Sequence, residues 1–228
     1  MFILKLDLQC FGGRGARQTK PSRVSNLNGT PLTDDQLSAV EYYVSGDGMY
    51  INDYLRDRNN PVERMGEMRE MEKELIQDLD KATDAFVGNQ TLYRAVDASA
   101  VFGNMSEIEY EALTSKLLYG LKGTSTQDNY VNNLINRTKG KTITDKGFMS
   151  TTKDYEIARD WGDFSGSSRS IVLEIKTTKS TKGLDLAKKA SKLNDRMGQS
   201  EVLLKRNQSY TIKSVGAKDG NIYVSVEM

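Results

Sequence analysis

The sequence of 228 residues contains no histidine. That absence excludes Ser-His-Asp and Cys-His catalysis, histidine-ligated zinc and histidine general-base chemistry. There is a single cysteine, Cys10, so neither an intrachain disulfide nor a CxxC pair can form. Only 3 prolines occur, which argues against long proline-rich linkers. No apolar run approaches the ~18 residues of a membrane-spanning helix. The N-terminal Met1-Phe2-Ile3-Leu4 is broken by Lys5 and Asp7, short of the roughly 7–15 apolar residues of a secretory core segment. Standard secretion is therefore not expected, and the expected location is the cytoplasm of a bacterial host or a virion. An excess of one charge is also missing. Lys+Arg number 32 and Asp+Glu 31, so net charge announces neither a nucleic-acid nor a membrane partner. Any catalysis must rest on carboxylates, Arg, Lys, Ser/Thr, Tyr, amides or a borrowed cofactor.

Residues 1–30 differ from the rest. Lys5, Arg14, Arg17, Lys20 and Arg23 stand against Asp7 alone, and Gly12-Gly13-Arg14-Gly15 follows no strand. This reads as a flexible basic arm ahead of one domain over 31–228. Thr33 is a predicted N-cap, and Leu37, Val40 and Val44 share one helix face. Gly46 and Gly48 are expected to break that helix, with a second short one carrying Ile51 and Leu55. Pro61 marks a boundary. Met68, Met71, Leu75, Leu79, Ala82 and Phe86 step at helical spacing, a stripe expected to face the core. A strand follows over 91–96, then helices near 107–121 and 128–137. Strands are expected at 147–151, 170–176, 201–205, 209–214 and 222–227. Helices first and strands afterwards predict an α+β domain.

Four features invite chemistry. Gly140-Lys141-Thr142 is not a phosphate-binding loop, because Ile135 stands where that motif needs glycine. Arg94 lies within an apolar strand, where an arginine is costly unless paired, as a structural ion pair or as an anion clamp. Ser150-Thr151-Thr152 reads as a strand end with hydroxyls or as part of a site. In Gln199-Ser200-Glu201, an extended backbone would set an amide and a carboxylate side by side, either solvated or functional. Between 176 and 192 lie six lysines, a solvated face or an attraction for an acidic protein surface or nucleic acid.

Taken in order, Arg94, Ser150-Thr151-Thr152 after Gly147-Phe148, and Gln199-Ser200-Glu201 resemble the signature of the mono-ADP-ribosyltransferase toxins and exoenzymes of the Arg-Ser-Glu class. Asn52-Asp53-Tyr54-Leu55-Arg56 is similar to that family's Asn-x-x-Leu-Arg helix end, and 183–201 to its target-recognition loop. The resemblance spans about 32–228. The lack of histidine fits it and excludes the His-Tyr-Glu class. Thr152 stands where the family has serine, which keeps the hydroxyl. No aromatic precedes Gln199 within 191–197, which puts a Rho-type target in doubt. The stretch from Leu6 to Gly15 is similar to the N-termini of some tailed-phage minor head proteins, which would add a phage head to the partners.

The resemblance implies N-terminal helices packed on a mixed, mainly antiparallel two-sheet β core. It implies NAD as co-substrate, no metal, and a macromolecular acceptor, protein or nucleic acid. Glu201 would stabilise the ribosyl cation, with Ser150 orienting it. Arg94 and Arg56 would hold the pyrophosphate, with Asn52 nearby. Gly147 would offer backbone groups to the nicotinamide, Thr151 and Thr152 would brace the strand, and Trp161 or Phe164, from the loop after Ser150, would cover the nicotinamide ribose. Gln199 bears on the acceptor: it implies an amide side chain or a nucleobase rather than arginine. The alternatives are an NAD glycohydrolase, or a virion or interaction protein with little turnover.

Overall fold

A computed structural model describes residues 31–56, 70–164, 168–186 and 200–228. The expected basic arm, the Pro61 boundary, Met68, the lysines Lys188, Lys189 and Lys192, and Gln199 lie outside these residues.

Helix α1 (Asp34–Tyr42) starts at Thr33, whose hydroxyl accepts from the Gln36 N–H while the Gln36 side chain accepts from the Thr33 N–H. This reciprocal cap satisfies two donors that a helix start leaves open. The two glycines do not end the helix. A π-helical turn (Tyr43–Asp47) leads straight into α2 (Gly48–Leu55). A Cβ on Gly48 would sit 2.6 Å from the Tyr43 ring, so glycine permits the close approach. Helix α3 (Glu70–Ala82) packs on α1. It stops short of Phe86, which is exposed and bridges Lys182 instead of extending the apolar stripe. The Thr83 hydroxyl closes that helix end by donating to the Leu79 carbonyl at 2.6 Å.

The remaining elements are β1 (Thr91–Asp97), α4 (Ser99–Phe102), α5 (Glu107–Tyr119), α6 (Ser125–Thr138), β2 (Thr142–Asp145), β3 (Met149–Thr152) and α7 (Tyr155–Phe164). They continue with β4 (Ser170–Lys176), β5 (Gly183–Asp185), β6 (Glu201–Leu204), β7 (Gln208–Lys218) and β8 (Asn221–Glu227). The strands run in the order β2-β7-β8-β4-β1-β3-β6-β5. Among the described residues only β4 and β8 pair in parallel. β1 meets β3 through one residue pair, Tyr93 with Thr152, whereas β1 and β4 share seven. The ladder therefore divides into a five-stranded and a three-stranded half, the mixed, mainly antiparallel two-sheet core that the sequence implies.

Two apolar cores result, and the smaller half contributes to both, with Met149, Val202 and Leu204 in the first and Phe148, Leu184 and Leu203 in the second. Leu92, Ile171, Leu173, Ile175, Val224 and Val226 pack with Phe102, Leu113, Val131 and Leu134 from α4, α5 and α6. Phe148, Leu184 and Leu203 pack with Val40, Tyr43, Ile51 and Leu79 from α1, its π turn, α2 and α3. The N-terminal helices thus cover the smaller half. Among the described residues no helix is long and apolar enough to cross a membrane.

Candidate active site

The functional side chains gather where the two half-sheets meet. Arg94, buried on β1, donates from Nη1 to the Ser150 carbonyl at 3.0 Å. Ser150, Thr151 and Thr152 form the buried strand β3. Thr152 lies directly opposite Glu201, the first residue of β6, and Ser150 opposite Leu203. Opposed residues of an antiparallel pair share a face, as do residues two apart, so Ser150, Thr152 and Glu201 lie on one side of the smaller half.

Burial pushes the Glu201 carboxyl up to about 7, against the pull of the Ser150 hydroxyl and the Arg94 guanidinium. The Ser150 hydroxyl is itself buried and makes no well-aligned hydrogen bond among the described residues. A buried polar atom without full satisfaction, beside a carboxylate held near neutrality, fits a site built for a ligand hydroxyl. Thr151 donates to the Val202 carbonyl at 2.5 Å and ties β3 to β6, while the Thr152 hydroxyl accepts from the Asp154 N–H at 3.1 Å.

Helix α2 brings Asn52 and Arg56 to the start of β3, one turn apart and therefore on one face. The Asn52 amide is fully buried. It accepts from the Phe148 N–H at 2.9 Å and donates to the Tyr43 hydroxyl at 2.6 Å. Arg56 forms a two-pronged ion pair with Asp145, Nε to Oδ1 at 2.8 Å and Nη2 to Oδ2 at 2.9 Å. Its Nη2 also donates to the Phe148 carbonyl at 3.1 Å. Burial pushes the Asp145 carboxyl up, but Arg56, with Arg94 and the Gly147 N–H, outweighs it and holds Asp145 below its ordinary value. A Cβ on Gly147 would lie 2.6 Å from Asn52 Oδ1 and 2.8 Å from Arg56 Nε. Those two side chains leave no room there.

Asp145 and Tyr43 are participants that sequence reasoning missed. Asp145 sits two residues before Gly147 in a polar stretch, and its partner Arg56 is 89 residues away, so no local pattern reveals the pair. Two expectations change. Trp161 lies half-buried on α7, not in a loop, and among the described residues it shares no hydrogen bond with this group. Ser200 has φ 46°, a left-handed conformation, so the backbone is not extended between Gln199 and Glu201. Alternation alone therefore does not align those two side chains. Among the described residues no group of three or more His, Cys, Asp or Glu is placed to hold a metal ion.

The sequence matches the family model of the ADP-ribosyltransferase exoenzyme over residues 18–228. A search of curated proteins returns no match. Among solved structures, the fold is similar to that of an S. aureus protein crystallised with NAD, at TM-score 0.62 and 20% identity over 86% of each chain. It is similar to an ADP-ribosyltransferase from Clostridium botulinum, at TM-score 0.58 and 20% identity over 86% of this chain and 87% of that one. An ADP-ribosyltransferase toxin from Paenibacillus larvae gives TM-score 0.58 and 17% identity over 86% of each chain.

Proposed function

Because the chain belongs to the ADP-ribosyltransferase exoenzyme family, and is an NAD-dependent mono-ADP-ribosyltransferase, we propose which residues do the work and what accepts the product. The observation that carries the assignment is the meeting of Arg94, Ser150 and Glu201, from three distant parts of the sequence, at one junction.

Cleavage of the bond between nicotinamide and ribose leaves the electron pair on the pyridine nitrogen and positive charge on the ribose, an oxocarbenium-like state. Glu201, ionised, faces that charge and accepts a ribose hydroxyl. Its partial burial strengthens the interaction relative to a fully solvated carboxylate. Ser150 orients it. Arg94 and Arg56 supply the cationic grip on the pyrophosphate. Asp145 fixes the direction of the Arg56 fork, and Asn52 fixes the backbone at Phe148 on which that fork rests. Thr151 and Thr152 brace the strand, Gly147 gives α2 its close approach, and Trp161 covers the site from α7.

Gln199 carries the acceptor reading. A glutamine cannot act as a base toward a guanidinium, but its amide donates and accepts hydrogen bonds. It suits an amide-type nitrogen, of a side chain or a nucleobase, better than arginine. The test is incubation with labelled NAD and a bacterial lysate, with Glu201→Ala as control. Label on macromolecules that disappears in the variant is the expected result, and protease or nuclease digestion then assigns the acceptor class. Label mapped to arginine side chains by peptide mass spectrometry would overturn the acceptor reading. Nicotinamide release without labelled product would favour a glycohydrolase or a lysate that lacks the acceptor.

A further inference from the structure

We propose that Lys153 is a positioning residue that sets how the ADP-ribosyl group is divided between an acceptor and water; the proposal rests on the reading of Glu201 given above. Lys153 follows directly on Thr152, the residue opposite Glu201. Its backbone N–H donates to the Ser200 carbonyl at 3.2 Å. Its ammonium meets Oδ2 of Asp185 at 2.6 Å, and the Asp185 side chain is 1% exposed. Asp185 is the last residue of β5, and Ser200 is the residue just before β6. The chain leaves one of these strands and returns to the other beside Glu201. Residue 153 therefore holds both roots of that connection, that of β5 through its ammonium and that of β6 through its backbone N–H, whose position the ion pair fixes.

The face on which it does so is decisive. Asp185 lies opposite Val202, and Val202 opposite Thr151. Lys153 is two residues beyond Thr151, so Lys153 and Asp185 lie on the side of the sheet away from Glu201. The ion pair crosses β6 from behind, as a strap, and is removed from the bond being broken. Ser200 supplies the lever. Its left-handed φ of 46° is disfavoured for a residue with a Cβ, so the direction in which the chain enters β6 depends on contacts that hold it. The Lys153 N–H is one of them.

Two steps of the reaction then respond differently. Breaking the ribose–nicotinamide bond needs the Glu201 carboxylate and a held NAD. Forming the new bond at ribose C1′ takes either an acceptor nitrogen held at the right angle or a water, and in each case the proton that the nucleophile loses passes to bulk water. Loosening the roots on either side of Glu201 disturbs transfer to an acceptor more than the first step, because water needs no alignment by the protein.

The experiment compares the parent with Lys153→Met, Lys153→Arg and the double variant Lys153→Met/Asp185→Leu. It reads labelled macromolecule formed per nicotinamide released in a lysate, KM for NAD, and amide exchange at residues 200–202. For Lys153→Met we expect the transfer-to-release ratio to fall by about tenfold, the scale of losing one charged hydrogen bond. KM for NAD stays within about twofold, and exchange accelerates at 200–202 but not in β8. Lys153→Arg restores the ratio. The double variant separates positioning from bulk stability. It removes both charges, so its thermal stability recovers, yet its ratio stays low. A ratio that recovers together with stability would reduce Lys153 to a structural residue and overturn the proposal. So would an unchanged ratio in Lys153→Met. If the lysate yields no labelled acceptor in the parent, exchange decides, and unaltered exchange at 200–202 overturns the proposal. Persistence of nicotinamide release in Glu201→Ala would instead refute the reading on which it rests.

Discussion

Replacing Glu201 by glutamine keeps the side-chain shape and removes its titration. Burial pushes the parent carboxyl from 4.5 up to about 7, with Ser150 and Arg94 pulling the other way. A carboxyl that is harder to ionise folded than unfolded opposes folding wherever pH forces it to ionise. Below pH 4.5 the group is neutral in both states and there is no penalty. The penalty grows as pH rises toward 7 and is complete above it. At 1.36 kcal/mol per pH unit, this window is worth up to about 3 kcal/mol. Glu201→Gln is therefore expected to be more stable than the parent at pH 8, by up to about 6–12 °C in Tm for a chain of this size. The difference closes as pH falls toward 4.5. The same substitution should cut nicotinamide release by roughly 10²–10³, the scale of removing one preorganised group that meets developing charge. Thermal unfolding of both proteins from pH 4.5 to 8.5, with release assays on the same samples, tests both halves. Parallel stability curves would refute the raised carboxyl. Undiminished release at unchanged circular dichroism would refute its role.

Three further substitutions probe the frame around it. Arg94→Lys loses the planar fork while keeping the charge, and should weaken NAD binding about tenfold or more by calorimetry; equal affinity would make Arg94 structural. Gly147→Ala forces a Cβ against Asn52 and Arg56, and should cost about 1–3 kcal/mol in urea unfolding and weaken NAD binding as the Arg56 fork is displaced. Asn52→Ala strips buried partners from the Phe148 N–H and the Tyr43 hydroxyl. The orphaned Phe148 N–H costs about 1–3 kcal/mol, while the Tyr43 hydroxyl keeps its bond to the Phe148 carbonyl, so denaturant midpoint and NAD affinity should fall together.

What the sequence made legible was whatever local chemistry dictates. Thr33 announces a capped helix because a cap depends only on residues within the first turn. The Val/Ile-rich strands β4 and β8 are dictated by composition. Arg94, Ser150 and Glu201 were legible by their order, and the fold brings them together. Elsewhere the decisive contact was remote or the local signal misled. Gly46 and Gly48 look like breakers, yet Gly48 serves the Tyr43 ring and the chain passes through a π turn. Helix α7 escaped notice because its buried side uses Tyr155, Ala158 and Gly162, with no aliphatic stripe. Strands β2 and β5 are only four and three residues long. Asp145 depends on an arginine in another element, and the turn at Ser200 on a lysine beyond β3.

The opening between the half-sheets explains why the candidate site and the frame of the fold are the same residues. Buried backbone groups must find partners. Where β3 leaves β1 after a single pair, side chains take the place of a neighbouring strand. The Gly147 N–H goes to Asp145, the Phe148 N–H to Asn52, the Phe148 carbonyl to Tyr43 and Arg56, and the Ser150 carbonyl to Arg94. A fully paired junction would have needed none of these polar side chains. The gap thus imports two guanidinium groups and a carboxylate for structural reasons. The same charges suit a dinucleotide whose pyrophosphate is anionic and whose nicotinamide end is cationic. On the proposed assignment, binding and stability are coupled at Asn52, Arg56, Arg94 and Asp145. NAD should raise the thermal stability of the parent more than that of variants at these four positions, because only the intact frame presents both arginines.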